Sequence, residues 1–140
     1  MYEYACKVER VVDGDTVDVV LDLGFDILYK SRVRLYGIDT PESRTRNKDE
    51  KARGKMAAAF LEDAINNGKQ VVIQTKLKDS RGKFGRVLGD VVVDGININQ
   101  SMIDNYHAVA YFGQSKEAIE AVHQSNRTRL IELGKFSPVK

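Results

Sequence analysis

The sequence has few of the residues that cross-link a chain or divide it into separate units. Its single cysteine, Cys6, cannot form an internal disulfide, so stability has to come from packing. Its two prolines form no proline-rich linker, and the chain has no internal repeat or low-complexity segment. With 140 residues, the chain is expected to form one domain that covers residues 1–140.

Long apolar runs and a secretory signal are also missing. The apolar runs are only a few residues long, far short of a membrane span. The opening "MYEYACKVER" lacks the basic start and apolar stretch of a signal peptide. We therefore expect a soluble, unexported protein, cytoplasmic if the chain is complete. The 42% of hydrophobic and 30% of charged residues are typical of a folded chain with a charged surface.

The net charge of +2 is too small to identify a partner by itself. Its distribution is uneven, because residues 76–86 carry five basic side chains against one acidic, and residues 43–55 carry six basic ones. Most clusters of this kind are solvated loop charge, since phosphate binding needs side chains that converge in space. The basic clusters are therefore compatible with nucleic-acid binding and do not establish it.

Two periodicities divide the chain into strands and helices. Residues 4–38 favour β-structure, since Val17, Val19 and Leu21 alternate with polar residues. Residues 49–66 instead repeat apolar residues at intervals of three and four, which is typical of an amphipathic helix. The remaining predictions are strands in 70–77 and 85–95, a tight turn at Asp94-Gly95, and helices near 98–105 and 116–133.

This order predicts an α+β fold. Three strands, a helix, two strands and two helices correspond to a five-stranded OB-fold β-barrel with an inserted helix and C-terminal helices, about three helices in all. The alternative is an open α+β sheet. Periodicity alone does not separate the two.

Acidic residues interrupt the predicted strands at two places. The stretch "VVDGDTVDVV" reads as one alternating strand broken near its start by Asp13 and Asp15. In "GIDTPES", Asp39 and Glu42 flank a Thr-Pro pair that favours a turn. Such residues often do no more than cap backbone amides, and for Asp13 we expect only a turn-stabilising role.

A phosphodiesterase would use the same residues for chemistry. Carboxylates collect a hard divalent cation, which would assign Asp15 and Asp39 to the metal and Glu42 to orienting a water molecule. Arg34 and Arg86 offer planar guanidinium groups that suit phosphate oxygens.

Three separated motifs, "DGDTV", "RLYGIDTPE" and "KFGR", resemble in this order those of the staphylococcal nuclease (thermonuclease) family. The likeness runs from about Val8 to the last helix. It implies an OB-fold barrel, Ca²⁺-dependent cleavage of DNA and RNA with little sequence specificity, and 3′-phosphorylated products. Position by position, it implies calcium ligands at Asp15, Asp39 and the Thr40 carbonyl. It also implies a water-orienting or general-base role for Glu42 and phosphate-clamping roles for Arg34 and Arg86.

The resemblance also implies substrate contacts. Lys83 and Tyr111 match positions that contact a terminal phosphate or line the base pocket. Phe84 stands where the family often has tyrosine, so stacking can persist but a phenolic hydrogen bond cannot. A second pocket tyrosine is replaced by Gly113, which predicts a weakened base pocket.

Two rival interpretations remain. A non-catalytic nucleic-acid-binding module of the same fold would bind without cleaving, but carboxylates facing phosphate would then only repel it. A structural protein would leave the two arginines unexplained. For the nuclease we expect a monomer in which His107 and His123 have no partner at metal-ligand spacing, and in which Tyr106 and Phe112 pack into the core.

Overall fold

A computed structural model describes residues 2–76 and 87–139. Within these ranges the chain forms eight strands and three helices. In chain order they are β1 (Glu3–Asp13), β2 (Thr16–Asp22), β3 (Leu28–Leu35), β4 (Ile38–Asp39), α1 (Lys48–Asn66), β5 (Val71–Thr75), β6 (Val87–Val93), β7 (Ile96–Asn97), α2 (Ile98–Asp104), β8 (Val109–Ala110) and α3 (Lys116–Glu132).

Five of the strands close into a barrel. β1 pairs antiparallel with β2 and β5, β2 pairs with β3, and β5 pairs with β6. A parallel pairing of β3 with β6, which places Arg34 opposite Leu88, closes the cylinder. The closed barrel, with α1 before β5 and two helices after β6, confirms the predicted α+β OB-fold architecture and excludes the open sheet.

The core is the inside of this barrel. Along β2, every second residue faces inward, so Val17, Val19 and Leu21 are buried while the residues between them are half-buried. α1 covers the barrel with the buried side chains of Ala57 and Leu61. The alternation read from the sequence is therefore the alternation between barrel interior and surface.

The stretch "VVDGDTVDVV" is a hairpin, so its interpretation as one strand was wrong. β1 ends at Asp13, which pairs with Thr16 at the start of β2, and Gly14 and Asp15 form the two-residue turn between them. A Cβ atom on Gly14 would lie 2.7 Å from the Cβ of Ala57 in α1. The absence of a side chain thus lets the turn lie directly against the helix, with Asp15 at the end of the barrel.

The helix boundaries agree with the sequence to within one residue. Each helix begins after a capping side chain that accepts a backbone N–H, namely Asn47, Asn97 and Ser115. The turn predicted at Asp94-Gly95 is present, with φ values of 50° and 83°. None of the helices in the described part of the chain is both long enough and apolar enough to cross a bilayer.

Candidate active site

Three of the site residues predicted from the sequence meet at one end of the barrel. Asp15 lies in the β1–β2 turn, Arg34 near the end of β3, and Asp39 at the end of β4. The pairing of Thr16 with Arg34 brings the turn beside the arginine. Nη2 of Arg34 lies 3.4 Å from Oδ2 of Asp15 and 3.8 Å from Oδ1 of Asp39. One guanidinium therefore offsets the repulsion between two carboxylates that are distant in sequence.

One side-chain hydroxyl and one backbone N–H fix the Asp15 side chain. Its Oδ1 accepts a hydrogen bond of 3.0 Å from the hydroxyl of Thr16, and its Oδ2 accepts one of 3.3 Å from the backbone N–H of Thr40. Thr40 is buried, so the segment that supplies its carbonyl is held firmly beside Asp15. The predicted metal ligands Asp15, Asp39 and Thr40 thus lie together.

Glu42 lies in the loop between β4 and α1, which rests against the helix. A Cβ atom on Gly54 would lie 2.6 Å from the carbonyl of Glu42 and 2.7 Å from that of Pro41, so this helix position requires glycine. The backbone N–H of Glu42 also donates to Oε2 of Glu50 at 3.2 Å. Glu50 was missed from the sequence, where an acidic residue in a first helical turn indicates only a favourable interaction with the helix dipole.

His123 was also missed. The sequence spacing predicts no partner for it at metal-ligand spacing and gives no sign of the contact that the structure shows, in which its Nε2 lies 2.7 Å from Oδ2 of Asp39 and its side chain is buried. The two residues are 84 positions apart. Only the packing of α3 onto the barrel brings them together, so no local motif signals the contact.

Asp13, which was expected to stabilise the turn, makes a long-range contact with a residue 30 positions away. Its Oδ1 accepts a hydrogen bond from the hydroxyl of Ser43. This contact ties the end of β1 to the loop that carries Glu42.

A cleft of about 480 Å³ opens beside these residues. Tyr111 lines it. Phe112 is 71% exposed and packs edge-on against Tyr36, so the prediction that it packs into the core was wrong. Lys83, Phe84 and Arg86 lie outside the described residues. The cleft is lined by Arg34, Asp39, Thr40, Glu42, Glu50, Tyr111, Gln114, Lys116, Ile119, Glu120 and His123.

The predicted ligands Asp15, Asp39 and Thr40 offer the oxygen donors that a hard divalent cation prefers. Among the residues that the structure describes, no three His, Cys, Asp or Glu side chains gather as a metal cage. Asp15 and Asp39 nevertheless converge on one point, where Arg34 contacts both. Two carboxylates and a backbone carbonyl are oxygen donors for a hard divalent cation that takes its other ligands from water and phosphate.

A second ion-pair network holds α3 against α1. Asp49, in the first turn of α1, accepts two hydrogen bonds from Arg127 of α3, at 2.9 and 3.1 Å, and one of 3.0 Å from Arg53. The backbone N–H of Val139 donates to it as well. The hydrogen bonds from Arg127 are the main reason that the pKa of Asp49 is lowered to about 2. This network fixes the helix that carries His123.

Comparison with known proteins agrees with this geometry. The family model described as "Staphylococcal nuclease homologue" matches residues 32–129, a span that contains Arg34, Asp39 and Glu42. The chain belongs to the staphylococcal nuclease family.

Several relatives carry the word endonuclease in their names. The chain is 29% identical to Endonuclease YhcR of Bacillus subtilis (strain 168) over 79% of its own length and 9% of the relative's. It is 31% identical to Endonuclease YncB of the same organism, over 74% and 46% of the two lengths. It is 30% identical to an uncharacterized endonuclease of Escherichia coli, over 94% of its own length and 76% of the relative's. The chain thus spans less than half the length of the two Bacillus relatives.

Proposed function

We propose that this chain is a Ca²⁺-dependent nuclease that hydrolyses phosphodiester bonds in DNA and RNA with little sequence specificity. The observation that carries the proposal is the contact of Arg34 with both Asp15 and Asp39 beside a cleft lined by Glu42. The membership of the family and the endonuclease names of the relatives support it. The proposal includes a single domain that acts as a monomer.

Asp15, Asp39 and the carbonyl of Thr40 would hold the cation. When bound, Ca²⁺ supplies positive charge that stabilises the phosphate oxygens as negative charge develops on them. This arrangement explains why two carboxylates lie where a phosphate has to bind.

Arg34 and Glu42 divide the remaining chemistry. Nη1 of Arg34 donates to the carbonyl of Leu35 at 2.9 Å, which fixes the plane of the guanidinium. The N–H groups that take part neither in this bond nor in the contacts with the two carboxylates would bind phosphate oxygens. Glu42 orients a water molecule for in-line attack on phosphorus. A phosphorus–oxygen bond forms to that water as it gives up a proton, and the bond to the 5′-oxygen breaks. The departing oxygen takes up a proton, so the products are a 3′-phosphate and a 5′-hydroxyl. Arg86 is proposed as the second phosphate-binding guanidinium.

Substrate recognition is proposed to rest on charge and stacking. Lys83 would contact phosphate, while Phe84 and Tyr111 would stack on bases. Neither type of contact reads base edges, so sequence preference should be weak.

The rival function is nucleic-acid binding without cleavage. It is disfavoured by the two carboxylates at the cleft, because without a cation they repel a phosphate. A cleavage assay separates the two functions directly.

The test incubates the protein with single-stranded DNA, double-stranded DNA and RNA, in Ca²⁺ and in chelator. We expect cleavage only in Ca²⁺, and a loss of about 100- to 10,000-fold in Glu42→Gln, since the water is no longer oriented by a carboxylate. The Asp39→Asn variant should need a higher Ca²⁺ concentration than the wild type for cleavage. The matched control is Glu62→Gln, an exposed carboxylate on α1 that should leave the rate unchanged.

Cleavage that persists in chelator, or that survives intact in Glu42→Gln, would contradict the proposed mechanism. Binding in Ca²⁺ with no cleavage of any of the three substrates would establish the rival. End-labelling of the products with polynucleotide kinase checks the position of the phosphate, since 5′-hydroxyl ends accept label directly.

A further inference from the structure

The contact between His123 and Asp39 has a defined direction. An ionised carboxylate can only accept a hydrogen bond, so the 2.7 Å contact between Nε2 and Oδ2 places the hydrogen on Nε2 of the imidazole. The His123 side chain is buried, whereas that of Asp39 is 35% exposed. A donor fixed inside the protein therefore holds one oxygen of a carboxylate that borders the cleft.

Other contacts of α3 hold His123 in place beside Asp39. The short strand β8 pairs with β4, where Val109 is opposite Asp39. Three residues along α3 from His123, the side-chain amide of Asn126 donates to the carbonyl of Ala108 at 3.1 Å. The Arg127–Asp49 ion pair fixes the next residue of the helix. The helix that carries the donor is thus anchored to the strand pair that carries the acceptor.

The two oxygens of Asp39 have different surroundings. Oδ2 is engaged by His123, while Oδ1 is the oxygen near Arg34, on the side of Asp15. A carboxylate without such a donor can rotate about its terminal bond, because that torsion is soft. The hydrogen bond removes this freedom and leaves Oδ1 directed toward the other carboxylate.

We propose that His123 is a positioning residue that orients Asp39 for binding of the divalent cation. The proposal rests on the proposed function in so far as Asp39 is a ligand to that cation. Hydrogen-bond partners of metal ligands fix ligand orientation, and their loss typically weakens metal binding about 10- to 100-fold. The imidazole acts through Asp39 and is not itself a ligand.

His107 provides a matched control. It is also buried, and it packs on Phe60 with ring centroids 4.9 Å apart. Among the described residues its Nδ1 has no hydrogen-bond partner, and His107 does not line the cleft. The same substitution at His107 therefore reports the cost of losing a buried imidazole without touching Asp39.

The experiment measures Ca²⁺ affinity by calorimetry, without nucleic acid, in the wild type and in His123→Leu, His123→Gln and His107→Leu. We expect binding weakened by about 10- to 100-fold in His123→Leu and by no more than about threefold in His123→Gln, whose amide keeps a donor near the position of Nε2. His107→Leu should bind as the wild type does. Cleavage by His123→Leu should recover as Ca²⁺ is raised to saturation.

A wild-type measurement covers the case in which His123→Leu fails to fold. Nitrogen-15 NMR of the imidazoles should show the hydrogen of His123 on Nε2 in the metal-free protein, and a hydrogen on Nδ1 alone would overturn the proposal. Unchanged Ca²⁺ affinity in folded His123→Leu would overturn it while leaving the nuclease proposal intact. Equal losses in the Leu and Gln variants would overturn it as well. A wild type that binds no Ca²⁺ would overturn both proposals.

Discussion

Arg34 combines three contacts that only a guanidinium can make together. It lies near Asp15 and Asp39 through Nη2 and donates to the carbonyl of Leu35 through Nη1. A lysine has one nitrogen on a flexible stem and cannot keep this geometry while also meeting two phosphate oxygens. The arrangement therefore depends on the shape of the side chain as well as on its charge.

We expect Arg34→Lys to lose most of the activity that Arg34→Ala loses, about 100- to 1,000-fold at saturating substrate and Ca²⁺, because an aligned donor to the transition state is removed. Arg32→Lys is the control, since Arg32 lies on the same strand but pairs with Asp18 at the surface. Initial cleavage rates measure the effect. An Arg34→Lys variant as active as Arg32→Lys would show that charge alone is sufficient.

The sequence predicts some of these residues and not others for a physical reason. Asp15, Arg34 and Asp39 lie in or beside strands whose order around a barrel follows from a recognisable motif, so their convergence could be anticipated. Glu50 and His123 join the site through the packing of helices on the barrel. That packing depends on side chains distributed along the whole chain, and no short sequence motif predicts it.

At the scale of elements, the placement of α3 depends on Asp49. The lowered pKa of Asp49 means that the folded state favours its ionised form. Its contribution to stability is fully present above the ordinary carboxyl pKa of 3.8 and is lost as the pH falls through about 2. Acid should therefore weaken the attachment of α3 to α1 specifically between these two values.

Asp49→Asn tests this attachment. We expect the variant to have a lower free energy of unfolding than the wild type at pH 7, and the difference to shrink as the pH falls from about 4 to about 2, where the wild-type carboxyl is protonated too. Urea titrations at several pH values measure it. Asp63→Asn, at an exposed position of the same helix, is the control and should show no such dependence. A difference that stays constant down to pH 2 would contradict the assigned cause.

The boundaries of the helices and strands show which short sequence patterns were sufficient to predict an element. The helices could be predicted because their periodicity and capping residues act over a few positions. The hairpin at Gly14 was missed because the two aspartates around Gly14 were interpreted as an interruption of one strand and not as the turn between two strands. The strands β4, β7 and β8 have two residues each, too few for any periodicity.

At the scale of the whole molecule, the net charge of +2 gives little general attraction for a polyanion. Attraction has to come from local basic side chains, such as Arg34 and Lys116 at the cleft. When binding depends on phosphate contacts, the logarithm of the binding constant falls linearly with the logarithm of the salt concentration. For a single strand, each contact steepens this line by about 0.7.

We expect affinity for single-stranded DNA to fall steeply with salt, and Lys116→Ala to reduce the slope by about one contact. The measurement is fluorescence anisotropy in Ca²⁺ from about 50 to 200 mM salt, in a Glu42→Gln background in which cleavage is slow. Lys69→Ala, at an exposed position away from the cleft lining, should leave the slope unchanged. Affinity that does not depend on salt would contradict phosphate-based recognition.

The order of the elements was compatible with a closed barrel and with an open sheet, and the resemblance to the family favoured the barrel. Neither predicted which strands close it. Closure depends on the parallel pairing of β3 with β6, between strands far apart in the chain. Because these strands are far apart in the chain, their pairing depends on which two edge strands lie next to each other once the rest of the sheet has formed.

The two glycine contacts of α1 have a consequence for local unfolding. The turn that carries Asp15 lies against this helix at Gly14, and the loop that carries Glu42 lies against it at Gly54. A fluctuation that detaches α1 from the barrel would remove the support of both segments in the same event. The opening free energy of the helix thus sets an upper limit on the free energy that disassembles the site, and we expect the two segments to be released together as one cooperative unit.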